Sequence, residues 1–362
     1  MTIKGNVGEW SEIYTLLKVL GDETLFAGNE SLERLEDVVY PVLKVLRTES
    51  TGKFEYTLNQ NVVFVTSNGE ELLNLPVQEF AKKAQRTLEK ILENKKQKNT
   101  TFSIPEIENF MEQIHCKSLK AASSQKTDIT IVIHDEKTNQ QPILGFSIKS
   151  QLGGASTLLN AGKTTNFKYK VNGLSKYQLD EINSISNPKK ILKRISKIKE
   201  LGGTFEFDKI INNVFSNNLI LIDSLLPQIV SEIILNFYTT SATTLTDLVE
   251  LLENKNPLGF DNSNKHLFYT YKIKKMLTDI ALGMTPAKVW SGKYDATGGY
   301  LVVKDDGDIL CYHLYNKNEF EDYLLSNTRL ETASTTRYSF AELYEETEQF
   351  YFNLNLQIRF IK

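Results

Sequence analysis

TDITIVIH, residues 127–134, and ILGFSIKS, residues 143–150, decide the fold. In each, apolar residues alternate with polar or small ones, the period of a half-buried strand. The polar stretch between them, Asp135 to Pro142, suits a hairpin loop, so antiparallel pairing is expected. Such pairing sets the start of the first strand beside the end of the second. Asp128 and Lys149 then meet at one sheet edge. Asp is a hard oxygen ligand suited to Mg2+. A lysine beside it can orient or deprotonate a water and stabilise charge on a phosphate. Alone, the pair is also what a strand cap and a solvated strand end look like.

The flanking residues add weight. Ser147, Ser150 and Gln151 surround Lys149, with Phe146 and Ile148 alternating towards a core. Beyond them a flexible loop carries Gly153, Gly154, Ser156, Thr157, Lys163, Thr164, Thr165 and Asn166. Glycines let backbone N–H groups approach phosphates, and hydroxyls and amides bond phosphate oxygens or base edges. Lys117, Lys120, Ser123, Ser124 and Lys126 precede Asp128. Basic and hydroxyl groups thus bracket the acid–lysine pair on both sides.

The net charge of −3 over 362 residues argues against a polyanion binder that uses its whole surface. The average hides an asymmetry. Residues 141–200 hold eleven Lys/Arg and three acids, a local +8 that leaves −11 for the rest. A basic middle in an acidic chain suits a localised phosphate-binding surface, or a solvated helix face at 188–199. The length predicts about two domains, each with an ordinary core. Two cysteines, Cys116 and Cys311, exclude a disulfide scaffold and a multi-cysteine zinc site. His115 beside Cys116 lacks the acid or second histidine of a thiol triad, and the histidines show no zinc spacing. No apolar run reaches the ~18 residues of a membrane span, and the N-terminus lacks a signal-peptide apolar stretch. A soluble, cytoplasmic protein is expected, with no membrane partner.

Outward from the core hairpin, Trp10, Ile13, Leu16, Leu17 and Leu20 predict a helix over 8–20. Short strands are expected at 38–47, 54–57 and 61–65, and an amphipathic helix at 77–94. The polar run Lys95 to Thr101 is read as a boundary. A helix at 104–115 opens on Ile-Pro, and a further strand is expected at 164–171. Helices are predicted at 175–184, 188–201, 207–215, 218–237, 241–254, 263–282 and 319–325. The chain turns to β from Tyr300 and closes on a strand at 350–360. The organisation read from this is an N-terminal α/β region (1–100), a core with a basic helical region (101–238) and a helical, β-rich C-terminal region (239–362).

The C-terminal region has its own cluster: Asn327, Thr328, Arg329, Glu331, Thr332, Ser334, Thr335, Thr336 and Arg337. Arginine pairs bidentately with guanine O6 and N7, and glutamate accepts from cytosine N4. A G·C-rich target would suit Arg329, Glu331, Ser334 and Arg337. A polar surface loop with an Arg–Glu pair fits the same residues.

TDITIVI followed by GFSIKSQLGGASTLLNAGKTTNF resembles the core of a type II restriction endonuclease of the PD-(D/E)XK superfamily, and within it the HpaII-type enzymes. The likeness extends to GEWSEIYTLLKVL near the N-terminus and to LLSNTRLETASTTRY and LNLQIRF near the C-terminus, so it covers most of the chain. It implies a mixed α/β fold with a central sheet flanked by helices. It also implies Mg2+-dependent hydrolysis of double-stranded DNA at a short palindrome, CCGG in HpaII-type enzymes. Asp128 matches the metal-binding acid and Lys149 the catalytic lysine. The acid expected two residues before the lysine is Ser147 here, an uncharged and poorer ligand. The site would then use Asp128, the Ile148 carbonyl and waters, or an acid from elsewhere: Glu9, Glu12 or Glu112. Gln151 would touch the scissile phosphate, position water or read DNA. Lys126, Ser150, Lys163, Thr164, Thr165 and Asn166 would bind DNA. A palindromic target favours a homodimer, and the family's role implies a partner methyltransferase that protects the host DNA. Two alternatives stay open: a catalytically degenerate DNA-binding protein, for which Ser147 speaks, and a repair or structure-specific nuclease of the same fold.

Overall fold

The computed structural model describes residues 2–121, 126–135, 139–186 and 188–361. Ser123 and Ser124, and part of the connector between the two core strands, lie outside these. The core hairpin forms as its alternation requires. Ile129–Ile133 pairs antiparallel with Ile143–Ser150, with Ile129 opposite Phe146. Ile129, Ile131 and Ile133 point into the core, and Thr130 and Val132 away from it.

These two strands belong to a nine-stranded mixed sheet. The long strand Arg34–Glu49 is its pivot. Pro41 gives its carbonyl to the N–H of His134 on one side, while the Val42 N–H donates to the Glu23 carbonyl on the other. Thr24–Gly28, on that second side, also pairs in parallel with Ile309–His313. That strand pairs with Gly299–Val303, which runs parallel to Ile143–Ser150. Six strands therefore pair in a closed cycle. Gly52–Asn59, Val62–Ser67 and Glu70–Pro76 extend the sheet as an antiparallel flap. The sheet takes strands from residues 1–100, 101–238 and 239–362 alike.

Gly299–Val303 is buried on both faces, as a central strand with a parallel neighbour should be. Leu301 and Val303 pack with the N-terminal helices, and Tyr300 and Val302 with the helices of the C-terminal half. On the first face lies the helix Val7–Asp22, begun by a capping box between Asn6 and Glu9. Trp10, Ile13, Leu16, Leu17 and Leu20 are all buried there, as their spacing predicts. Each such side chain contributes roughly 1.5–3 kcal/mol of burial. Gly21 lets the helix press on Val77–Lys96. A Cβ at Gly21 would lie 2.7 Å from the backbone N and Cα of Ala81. This packing fixes which side of the first helix faces the core hairpin.

Among the described residues two smaller sheets accompany the nine-stranded sheet. One has the order Thr204–Ile210, Asn166–Asn172, Gln349–Asn355, Leu343–Glu346; the other joins Thr328–Leu330, Ile358–Phe360 and Thr157–Leu159. The helix expected at 207–215 is corrected: Thr204–Ile210 is a strand, and the helix begins at Asn213. FEFDKI alternates, and Phe205 and Phe207 pack against the rings of Phe167 and Tyr169 on the paired strand. The helix expected at 218–237 is two, Asn213–Ile222 and Leu226–Thr239. Asp223 Oδ1 accepts the Leu225 N–H, and Pro227 opens the second helix. The basic helix forms as Lys190–Glu200, with Ile191, Ile195 and Ile198 inward. Among the described residues no single helix is long and apolar enough to cross a membrane.

Candidate active site

The register of the core hairpin puts Asp128 beside Ser147 and Ile148. The Asp128 N–H donates to the Phe146 carbonyl at 2.8 Å, which fixes the backbone. Its carboxylate Oδ2 accepts the Ile148 N–H at 2.7 Å and the Ser147 hydroxyl at 3.0 Å. The same Ser147 Oγ accepts from Lys149 Nζ at 2.9 Å. Acid and lysine are thus joined through one hydroxyl. Lys149 Nζ also lies 4.8 Å from the centre of the Tyr300 ring, a cation–π contact. Tyr300 arrives there because its strand runs parallel to Ile143–Ser150, with Tyr300 in register with Ser147. Burial lowers the lysine's pKa below its ordinary value, opposed by the Asp128 and Glu12 carboxylates. A less strongly held proton suits a group that works on water.

Asp128, Ile148, Lys149 and Ser150 open on a cleft of about 760 Å3. Across it stands the first helix, with Glu9 and Glu12. The pKa of Glu12 is pushed up to about 7, first by burial and then by the charge of Asp128; Lys120 and Arg47 pull it down. Two carboxylates on one cleft repel each other, and a divalent cation between them would relieve that repulsion. Asp128, Glu12 and the Ile148 carbonyl are oxygen donors of the kind a hard divalent cation takes. Glu9 is engaged in the helix cap and lies 3.7 Å from Lys120. Glu112 is exposed and is not among the described residues that line the cleft. Of the three acids considered for the Ser147 position, Glu12 is the one coupled electrostatically to both Asp128 and Lys149.

Lys126 lies in the turn before Asp128. Burial, then the charge of Lys149, lowers its pKa to about 8, and Asp295 and Asp128 act against that. Ser150 Oγ is 2.8 Å from Ser11 Oγ and accepts the Leu152 N–H at 3.2 Å, tying the first helix to the strand Ile143–Ser150. Gln151 continues the parallel ladder, its N–H donating to Val303. Gly153, Gly154 and Ser156 do line the cleft.

The other expected contacts lie elsewhere. Lys163 is exposed and Thr164 half-buried in a single 3-10 turn. Thr165 and Asn166 are corrected: both are buried and hold the chain together. Thr165 Oγ1 donates to the Gly162 carbonyl at 3.1 Å, and Asn166 Nδ2 to the Tyr338 carbonyl at 2.9 Å. Burial removes both from direct contact with DNA. Ser334 caps the short helix Thr335–Tyr338, and Arg337 is exposed on it. Arg329 and Glu331 are half-buried at the three-stranded sheet, and Glu331 pairs with Arg359 at 2.9 Å.

Sequence reasoning missed part of the wall. Lys95, Lys98, Asn99 and Thr100 line the same cleft as Asp128 and Lys149. Their signal was the polar run 95–101, which reads as a linker because nothing local shows what it faces. Tyr300 carried no signal at all.

A carboxylate, a second acid and a lysine on one cleft define a class of site: one that can hold a cation and turn water on a phosphodiester. Comparison with known proteins narrows it. The model of the HpaII restriction endonuclease family matches residues 6–360. A type II restriction enzyme, HpaII of Haemophilus parainfluenzae, is 45% identical over 359 residues, 99% of this chain and 98% of the relative. No solved structure matches. The protein is a type II restriction endonuclease, a hydrolase of DNA. The chain belongs to the HpaII restriction endonuclease family.

Proposed function

We propose that this enzyme cuts double-stranded DNA at a short palindromic G·C-rich site, CCGG first among candidates, with Mg2+ as its cation. The relay Asp128–Ser147–Lys149 on a cleft lined by lysines carries this reading. Asp128, Glu12 and the Ile148 carbonyl would hold Mg2+, which when bound polarises the scissile phosphate and acidifies water. Lys149, steered by Ser147, orients the attacking water and faces the charge that builds on phosphorus. Gln151 positions water or phosphate at the strand end. Lys95, Lys98, Lys120 and Lys126 hold phosphates on either side. Water attacks phosphorus and the bond to O3′ breaks, leaving a 5′-phosphate and a 3′-hydroxyl. The core is read as a PD-(D/E)XK fold whose second acid comes from the first helix. A homodimer would match the two-fold of a palindrome, and a methyltransferase of the same specificity would shield host DNA in the cytoplasm.

The test is digestion of methylation-free phage DNA with Mg2+ beside an Asp128→Ala control, followed by sequencing of the fragment ends. Ends at CCGG that vanish in the control support the full reading. Discrete ends at another sequence keep the chemistry and discard the site. Cleavage that persists in Asp128→Ala overturns the assignment of the catalytic acid.

A further inference from the structure

Thr328–Leu330 and Ile358–Phe360 pair antiparallel, with Arg329 directly opposite Arg359. Their neighbours Thr328, Leu330, Ile358 and Phe360 are buried, so the two arginines share the outward face of the small sheet. Like charges set opposite each other on a sheet are unfavourable. One glutamate, Glu331, sits 2.9 Å from Arg359 and offsets one of the two charges. The Nε of each arginine is buried and without a hydrogen-bond partner among the described residues. Such unpaired donors cost stability unless something binds there. The sheet's third strand, Thr157–Leu159, follows the strand Ile143–Ser150 directly, and Arg359 is in register with Thr157. Arg359 Nη2 donates to the Ala155 carbonyl at 2.5 Å, and the Phe360 N–H to Ser156 at 2.9 Å. Gly153, Gly154 and Ser156 of that loop line the catalytic cleft. Arg359 therefore stands against the loop that lines the cleft, with Arg329 beside it on the neighbouring strand.

We propose that Arg359 is a specificity-determining residue that acts with Arg329 and Glu331 as one unit reading a G·C pair. This rests on the reading of the cleft as the DNA site. The chemistry favours a base pair over a phosphate. Arg359 holds Glu331 through Nη1 and the Ala155 carbonyl through Nη2, so the unit offers the Arg329 fork beside a placed carboxylate, and these match what a G·C pair shows in the major groove: the O6 and N7 acceptors of guanine and the N4 donor of cytosine. A phosphate would meet repulsion from Glu331. The bond from Arg359 to Ala155 also ties base reading to the wall of the cleft.

The experiment uses the full-length enzyme carrying Asp128→Ala, so that DNA is bound and not cut. Its affinity is measured for a duplex holding the wild-type enzyme's own cleavage site and for one in which a single G·C of that site is A·T. Arg359→Lys keeps the charge and loses the fork. The ratio of the two affinities is expected to fall about 10- to 100-fold, the worth of one bidentate base contact. A ratio within about twofold of the parent overturns the proposal, because a phosphate contact or a purely structural arginine would weaken both duplexes alike. Should Arg359→Lys fail to fold, judged by thermal melting, Glu331→Gln stands in. It has the same shape, and its ratio is expected to fall at the cytosine it reads; an unchanged ratio there overturns the proposal equally. If the wild-type enzyme shows no fixed cleavage site, the reading of the function has failed, a different result from a fixed site read without Arg359.

Discussion

Ser147 Oγ stands 3.0 Å from Asp128 Oδ2 and donates to it, while accepting from Lys149 on its other side. The residue that replaces the expected acid is thus a connector, which fixes the lysine relative to the acid. Ser147→Ala removes the connector and leaves the strand. Lys149 loses one anchor. Small misplacements of a catalytic group cost about 100-fold. The cleavage rate at saturating DNA is expected to fall about 10- to 100-fold with the cut position unchanged. Single-turnover cleavage of an end-labelled duplex reads both.

Glu12 faces the same cleft from the first helix. If it shares the cation with Asp128, Glu12→Gln should lower the rate at least about 100-fold, as loss of one charged ligand does. The deficit should shrink as Mg2+ is raised. Glu112→Gln, on an exposed position outside the cleft, should cut like the parent. A chelator should stop the parent enzyme and leave its melting temperature within a few degrees. Rates across a Mg2+ series for the three proteins decide this.

How much of this was legible in the sequence follows from how far apart the partners lie. Asp128 and Lys149 could be paired because one short connector separates two alternating strands. The buried face of the first helix could be read from Trp10 to Leu20, because helical period is local. Tyr300 under Lys149 could not, since a parallel pairing across some 150 residues leaves no local trace. Lys95 to Thr100 were mistaken for a linker for the same reason. Thr165 and Asn166 looked like DNA contacts by residue type, and tertiary packing had already used them. Arg359 sits in an ordinary closing strand and gains meaning only from Arg329 across the ladder.

His313 ends a central strand, fully buried, with its Nδ1 accepting the Tyr315 N–H and its Nε2 without a partner among the described residues. Burial lowers its pKa to about 4, only partly opposed by Asp135. The unfolded chain binds a proton near the ordinary histidine value and the folded chain does not. The contribution of His313 to stability is therefore intact above the unfolded value and is lost as pH falls from about 6.5 to about 4, by a few kcal/mol in all. His313→Asn keeps an acceptor for Tyr315 and cannot titrate. Its urea-unfolding free energy should fall less steeply over that window than the parent's. Parallel slopes would show that His313 is not the group responsible.

Arg47 and Glu49 form a buried ion pair, and Arg47 lines a pocket together with Asp128. Arg47 Nε donates to Glu49 Oε1 at 2.6 Å, and the Ser118 hydroxyl to Glu49 Oε2 at 2.7 Å. Both side chains are over nine-tenths buried, so neither charge is relieved by water. Removing one partner leaves the other uncompensated, at about 3–5 kcal/mol. Arg47→Met should lose that much in urea unfolding. The double variant Arg47→Met, Glu49→Leu should recover most of it, because an apolar pair of similar volume is close to neutral in place of a buried ion pair. Arg47 also holds the Glu12 pKa down through its charge. The double variant should therefore regain stability without regaining the full cleavage rate. Recovery of both together would show that Arg47 serves the fold and not the site.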